Sequence, residues 1–145
     1  MPTLNELTTD ELISTFRGLE GWEDRFEYIL DLAKQVPELD ESERTDETRL
    51  TGCVSQVWVK TAVTQDDPPR FEFVANSDAA IVTGLIAVLM VVYNGRPVDE
   101  VADADPLAVL REMDLETHLS PTRRNGLHAM VERIRGDAGA PGVRS

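Results

Sequence analysis

Val54-Ser55-Gln56-Val57-Trp58-Val59-Lys60-Thr61-Ala62-Val63 alternates along its length. Val57, Val59, Thr61 and Val63 fall on one side and Gln56, Trp58, Lys60 and Ala62 on the other. A period of two in β-branched and aromatic residues predicts a strand with one covered face. Gln65-Asp66-Asp67-Pro68-Pro69 then forms a polar loop, after which Phe71, Phe73 and Ala75 alternate with Glu72 and Val74. Two alternating runs joined by a short polar loop predict an antiparallel hairpin. Leu50 and Thr51 are candidates for a short third strand.

Downstream, Asn76-Ser77-Asp78 predicts a helix start, with a capping side chain and an acid at the positive end of the helix dipole. Ile81, Val82, Leu85, Ile86, Leu89 and Met90 continue a helix that is apolar nearly all round, so it should be the central buried one. Gly95 closes it and Pro97 prevents its extension. Asp105-Pro106 opens a short helix to about Met113, and Ser120-Pro121 opens a last one with Leu127, Met130, Val131 and Ile134 as its apolar stripe.

Upstream, Thr8 and Glu11 have the spacing of a capping box, ahead of Leu12, Ile13 and Phe16. Gly18 and Gly21 bracket a break. A second helix is predicted from about Trp22 to Val36, with Trp22, Phe26, Ile29, Leu30, Ala33 and Val36 on its core face and Pro37 as its stop. Glu38 to Glu47 reads as an exposed acidic connection. Two helices, a small sheet of about three strands and three further helices make an α+β fold with helices packed on one sheet face. The opposite face is expected to stay wet. The expected domain is a single one over residues 1–136, followed by a flexible tail over 137–145 that is rich in Gly, Ala and Pro.

The 145 residues carry a formal net charge of −13. That balance repels phosphate and argues against nucleic acid as a partner. The longest apolar run, Ala79 to Tyr93, is too short and interrupted to predict a membrane span. The N-terminal residues lack the pattern of a signal peptide, and a lone cysteine fits a reducing cytoplasm.

That cysteine is Cys53, preceded by Gly52. One thiol cannot close an internal disulfide, which leaves an inert buried thiol, an intermolecular disulfide or a thiol that does chemistry. Gly52 removes a side chain beside it, and the site lies where a loop enters a strand. No Lys, Arg or His in the local run lowers its pKa, so activation has to come from distant residues or from a partner. The two histidines, His118 and His128, and one cysteine fall short of a four-ligand metal centre. Ser120-Pro121-Thr122-Arg123-Arg124 puts two arginines and no acid at a helix start, where acids are favoured. Arg123 and Arg124 either attract an anion such as a thiolate, a persulfide or a carboxylate, or they point to solvent or pair with the many acids nearby.

Four blocks together resemble the SufE family of sulfur acceptor proteins. They are Gly52-Cys53-Val54-Ser55-Gln56-Val57-Trp58, Gly21-Trp22-Glu23-Asp24-Arg25-Phe26 with Pro37-Glu38-Leu39, Asn76-Ser77-Asp78-Ala79-Ala80-Ile81-Val82-Thr83-Gly84-Leu85, and His118-Leu119-Ser120-Pro121-Thr122-Arg123. They stand in family order and span about Leu7 to Arg135. Asn76 replaces the usual Asp, and Thr83 the usual Lys.

The resemblance implies a SufE/IscU-like sandwich and a carrier rather than an independent enzyme. Cys53 would take persulfide sulfur from a pyridoxal-phosphate-dependent cysteine desulfurase of SufS type, stimulate it, and pass the sulfur to an iron–sulfur scaffold. The pyridoxal phosphate (PLP) would belong to the partner, with no cofactor or metal on this chain. The resemblance also implies a sheltered cysteine whose loop swings outward on docking. Gly52, Asp78, His118 and Arg123 are the candidate supporting or partner-binding residues. The alternatives are a binding module that regulates a desulfurase without carrying sulfur, and a redox sensor that dimerises through Cys53.

Overall fold

Alternation becomes a register. In the computed structural model, which describes residues 7–46, 48–49, 56–65, 68–101, 104–115 and 119–139, β1 (Val57–Val63) pairs antiparallel with β2 (Phe71–Ser77). Val57 lies opposite Ser77 and Val63 opposite Phe71. Val57, Val59, Phe71, Phe73 and Ala75 are all buried, whereas Lys60, Ala62 and Glu72 are exposed. Arg49 makes an isolated bridge to Trp58 on the outer side of β1, and the Val59 N–H donates to the Thr48 carbonyl. Leu50 and Thr51, the candidates for a third strand, lie outside the described residues, as do Val54 and Ser55.

The expected helix start at Asn76 is corrected. β2 continues through Ser77, and α3 (Ala80–Tyr93) begins three residues later behind Ala79, which caps it with no side-chain hydrogen bond. Asn76 is buried and spends its amide elsewhere. Its Nδ2 donates to the carbonyls of Pro37 and Ala75 at 2.8 Å each, and its Oδ1 accepts from the Leu39 N–H. An aspartate could not donate those two bonds, which gives a physical reason for asparagine here.

α3 is the central helix. Its residues Val82 and Gly84 to Met90, with Val92 and Tyr93, are buried. Each large aliphatic side chain so buried contributes about 1.5–3 kcal/mol relative to exposure. One face packs on β2 and another on α2 (Trp22–Ala33). The α2 contact is close enough to need a glycine. A Cβ on Gly84 would run into the Ile29 side chain and come within 2.8 Å of the Ile29 carbonyl oxygen. Gly95, at φ +82°, turns the chain after α3 in a conformation that suits glycine.

α1 (Thr9–Gly18) starts as expected, with the Glu11 N–H donating to Thr8 Oγ1 at 3.1 Å. α2 ends at Ala33, three residues before the predicted Val36, although Val36 is buried. Its core face is rotated from the one predicted. Tyr28, Ile29 and Leu32 are buried, while Phe26 is 47% and Leu30 36% exposed. The reason is tertiary: α3 lies over the Ile29 side, and no described element covers the Phe26–Leu30 side.

The acidic connection is largely exposed, but it is anchored to the sheet. Leu39 is buried, Arg44 stacks over the Trp58 ring at 5.2 Å, and Lys60 pairs with Glu43. The outer sheet face is therefore partly covered, not bare. α4 (Pro106–Glu112) and α5 (Pro121–Gly139) complete five α-helices among the described residues. Asp105 Oδ1 accepts from the Ala108 N–H to cap α4. Residues 137–139, assigned by sequence to a tail, continue α5, and Asp137 accepts from Thr61 Oγ1 at 2.9 Å and from Arg133 Nε at 3.0 Å. Residues 140–145 lie outside the described set. No helix among the described residues is long and apolar enough to cross a membrane.

Candidate functional site

Of the residues singled out by sequence, Gly52, Cys53 and His118 lie outside the described residues. The site is therefore built from the residues described around them. Gln56 follows Cys53 by three positions and immediately precedes β1. Its N–H donates to Asp78 Oδ1 at 3.0 Å, and the Asp78 N–H donates back to the Gln56 carbonyl at 3.3 Å. This reciprocal pair extends the hairpin one step past Val57 and Ser77. Asp78 is thus not a helix cap. It ties the entry of β1 to the exit of β2, and the residue is exposed.

Two residues beyond Asp78, α3 begins, and Ile81 in its first turn lines a cleft of about 320 Å³. Trp22, Phe26 and Ile29 of α2 form one wall, and Ile81 and Leu85 of α3 the second. Leu115, Leu119 and the start of α5 close it, bringing Ser120 and Arg123 to an otherwise apolar hollow. The Arg123 N–H donates to Ser120 Oγ at 3.2 Å, so the serine caps the helix that carries the arginine. Among the described residues no acid pairs with the Arg123 side chain, which is exposed. A guanidinium beside an apolar hollow, at the positive end of a helix, attracts an anion.

A second hollow, of about 330 Å³, lies on the other side of α3's first turn. Lys34 and Arg44 line it with Asn76, Ser77 and Thr83. Thr83 donates to the Ala79 carbonyl at 3.1 Å, so its hydroxyl is bonded to the backbone of its own helix start. Among the described residues, no group of three or more His, Cys, Asp or Glu side chains could hold a metal ion.

Ionisation in the neighbourhood is set by local partners. Lys60 beside Glu43, helped by the Asp40 N–H at 3.2 Å, holds the Glu43 carboxyl below the usual glutamate range. Burial pushes the Tyr28 phenol up, with Thr15 opposing and Glu11 reinforcing that shift.

Of the residues singled out by sequence, Asp78 stands just before α3, and Arg123 lines the cleft that Ile81 and Leu85 of α3 also line. Sequence reasoning missed Gln56 as the partner of Asp78, because a main-chain bond across 22 positions leaves no pattern. It also assigned Trp22 and Phe26 wholly to the core. The available signal was the width of the α2 apolar stripe, more than one packed helix covers.

Comparison with known proteins follows the same lines. Residues 10–138 match the model of the SufE family, described as an Fe-S metabolism associated domain. An uncharacterized SufE-like protein of Rhizobium etli is 42% identical over 130 residues, covering 89% of this chain and 88% of that protein. Another from Rhizobium meliloti is 40% identical over 130 residues, covering 89% and 93%. The solution structure of a hypothetical protein from Thermus thermophilus superposes with a TM-score of 0.73 over 90% of this chain and 92% of that one. At 20% identity that likeness speaks for the α+β fold.

Proposed function

This chain belongs to the SufE family, and on that premise we propose that it accepts persulfide sulfur on Cys53 from a PLP-dependent cysteine desulfurase. It stimulates that enzyme and hands the sulfur on for iron–sulfur cluster assembly. The observation that carries the reading is that the SufE match over residues 10–138 contains a single thiol, so sulfur has one place to go.

The step balances without an added oxidant. The Cys53 thiolate attacks the terminal sulfur of the donor's Cys–S–SH. The donor's sulfur–sulfur bond breaks, a new one forms as Cys53–S–SH, and the donor leaves as a thiolate. Its rate depends on the fraction of Cys53 present as thiolate, its nucleophilicity and its access. The chain supplies no independent turnover in this reading, and PLP remains on the donor.

The neighbouring residues take supporting roles. Chain connectivity keeps Cys53 within roughly 11 Å of Gln56, so the Gln56–Asp78 pair anchors the chain three residues past the thiol. Arg123 favours the thiolate and persulfide anions over their neutral forms. Gly52 leaves room for a second sulfur to approach, and His118 stands beside the Ser120–Arg123 helix start in sequence.

The test is intact mass under non-reducing conditions after incubation with a cysteine desulfurase and cysteine. Gain of one sulfur atom that maps to Cys53, and is lost in Cys53→Ser, is the expected result. If Cys53→Ser stimulates the desulfurase as well as the unaltered chain does, the chain regulates by binding alone and the carrier reading is wrong.

A further inference from the structure

Phe26 and Leu30, the large apolar side chains left exposed among the described residues, stand one turn apart on α2. Isolated exposed hydrophobics are ordinary. These two are contiguous with each other, and Phe26 forms part of the wall of the 320 Å³ cleft. The exposed acids Glu23, Glu27 and Asp31 make the adjacent row at i, i+4 and i+8. Across this face the order is therefore an acidic row, an apolar ridge, an apolar cleft and then Arg123.

Like charges spaced at i, i+4 destabilise a helix, and although the helix dipole favours Glu23 in the first turn, local stability does not ask for Glu27, or for Asp31 in the last turn. The arginine that α2 carries does not neutralise it, because Arg25 is turned inward and lies 5.3 Å over both the Phe16 and Trp22 rings. Lys34 reaches one end only, 3.5 Å from Asp31 and exposed.

We propose that this face docks an amphipathic helical segment of a partner protein. One large apolar side chain of that segment enters the cleft against Trp22 and Phe26. Lysine or arginine side chains lie over Glu23, Glu27 and Asp31, and a carboxylate faces Arg123. This is helix-in-groove recognition, in which apolar anchors supply affinity and the charged rows set orientation and encounter rate. The inference shares Arg123 with the sulfur-transfer reading but invokes neither Cys53 nor a sulfur donor, and the variants that test it leave Arg123 unaltered.

The test uses the full chain carrying Trp58→Phe, so that Trp22 alone reports on the cleft. The probe is a synthetic Leu/Lys amphipathic helix of about 18 residues, five turns long. Saturable change in Trp22 emission is expected, weakening steeply with salt. Phe26→Ser with Leu30→Ser should weaken binding at least tenfold, and so should Glu27→Lys with Asp31→Lys. Circular dichroism should be unchanged in both, because all four side chains are exposed. A scrambled Leu/Lys peptide that binds equally well overturns the proposal in favour of plain charge attraction. Absence of any saturable change overturns it outright. Concentration-dependent dimerisation in sedimentation, abolished by Phe26→Ser, would assign the face to a second copy of the chain instead.

Discussion

Gln56 and Asp78 hold each other by two hydrogen bonds, main-chain N–H to carboxylate at 3.0 Å and main-chain N–H to carbonyl at 3.3 Å. The pair closes the end of the hairpin from which the chain leads back to Cys53 and forward into α3. One residue thus links the anchor of the thiol-bearing segment to the helix whose first turn lines the Arg123 cleft.

Asp78→Ala removes the acceptor of the Gln56 N–H and should cost about 1 kcal/mol of stability. The Gln56 amide should then exchange with solvent faster, and sulfur loading on Cys53 should change in rate. Asp78→Asn keeps an acceptor oxygen and should retain most of the protection. Hydrogen exchange at Gln56 and timed mass spectrometry of loading decide it. Unaltered exchange in Asp78→Ala would show that the clasp does not hold the strand entry.

Arg123 is exposed, and its contribution to the helix start is a main-chain bond to Ser120. Arg123→Ala should therefore leave thermal stability within about 0.5 kcal/mol. Loading of Cys53 should slow roughly three- to tenfold, as when a rim charge is lost, and the defect should shrink as salt is added. Arg123→Lys should recover part of the rate. Loading at the unaltered rate would mark the residue as a solvated side chain.

Gly84 is required by packing. Gly84→Ala forces a methyl group into the Ile29 side chain and to 2.8 Å from its carbonyl oxygen. Overpacking of this kind costs about 1–3 kcal/mol. Ile29→Val beside it should restore little of the loss, because valine keeps the γ2 methyl that meets the new Cβ and the carbonyl cannot be trimmed. Urea unfolding of the two variants and the double variant measures this, and full stability in Gly84→Ala would mean that α2 and α3 slide apart freely.

The Glu43–Lys60 pair predicts a pH dependence of known sign. The Glu43 carboxyl is held below its ordinary range, chiefly by Lys60 and then by the Asp40 N–H. A depressed carboxylate pKa stabilises the fold above the ordinary glutamate range, and that contribution is lost as pH falls through the folded-state value. Both side chains are solvent-accessible, so the effect should be small and screened by salt. In a carboxyl-carbon NMR titration, Lys60→Ala should move the Glu43 midpoint upward while leaving part of the depression due to Asp40. An unmoved midpoint would show that the ion pair does not form in solution.

Much of this protein could be read from its residues in order. The hairpin was legible because a covered sheet face imposes a period of two, and Val57, Val59, Phe71, Phe73 and Ala75 obey it. α3 was legible because only a helix surrounded by other elements can be apolar on every side. The capping residues of α1, α4 and α5 were legible because a helix end satisfies its free amides locally, as Thr8, Asp105 and Ser120 do. Arg123 was legible as a candidate because its charge opposes the dipole of its own helix.

Only the tertiary structure decided which side of α2 is covered, since periodicity draws a stripe but not the helix that lies on it. Gly84 brings α3 down on Ile29, and that contact leaves Phe26 and Leu30 outside. The same holds for Asn76 and Asp78. By local chemistry both belong at a helix start, yet Asn76 binds Pro37 and Leu39, and Asp78 binds Gln56. Short polar side chains satisfy whichever backbone groups lie nearest, and which groups those are depends on segments distant along the chain.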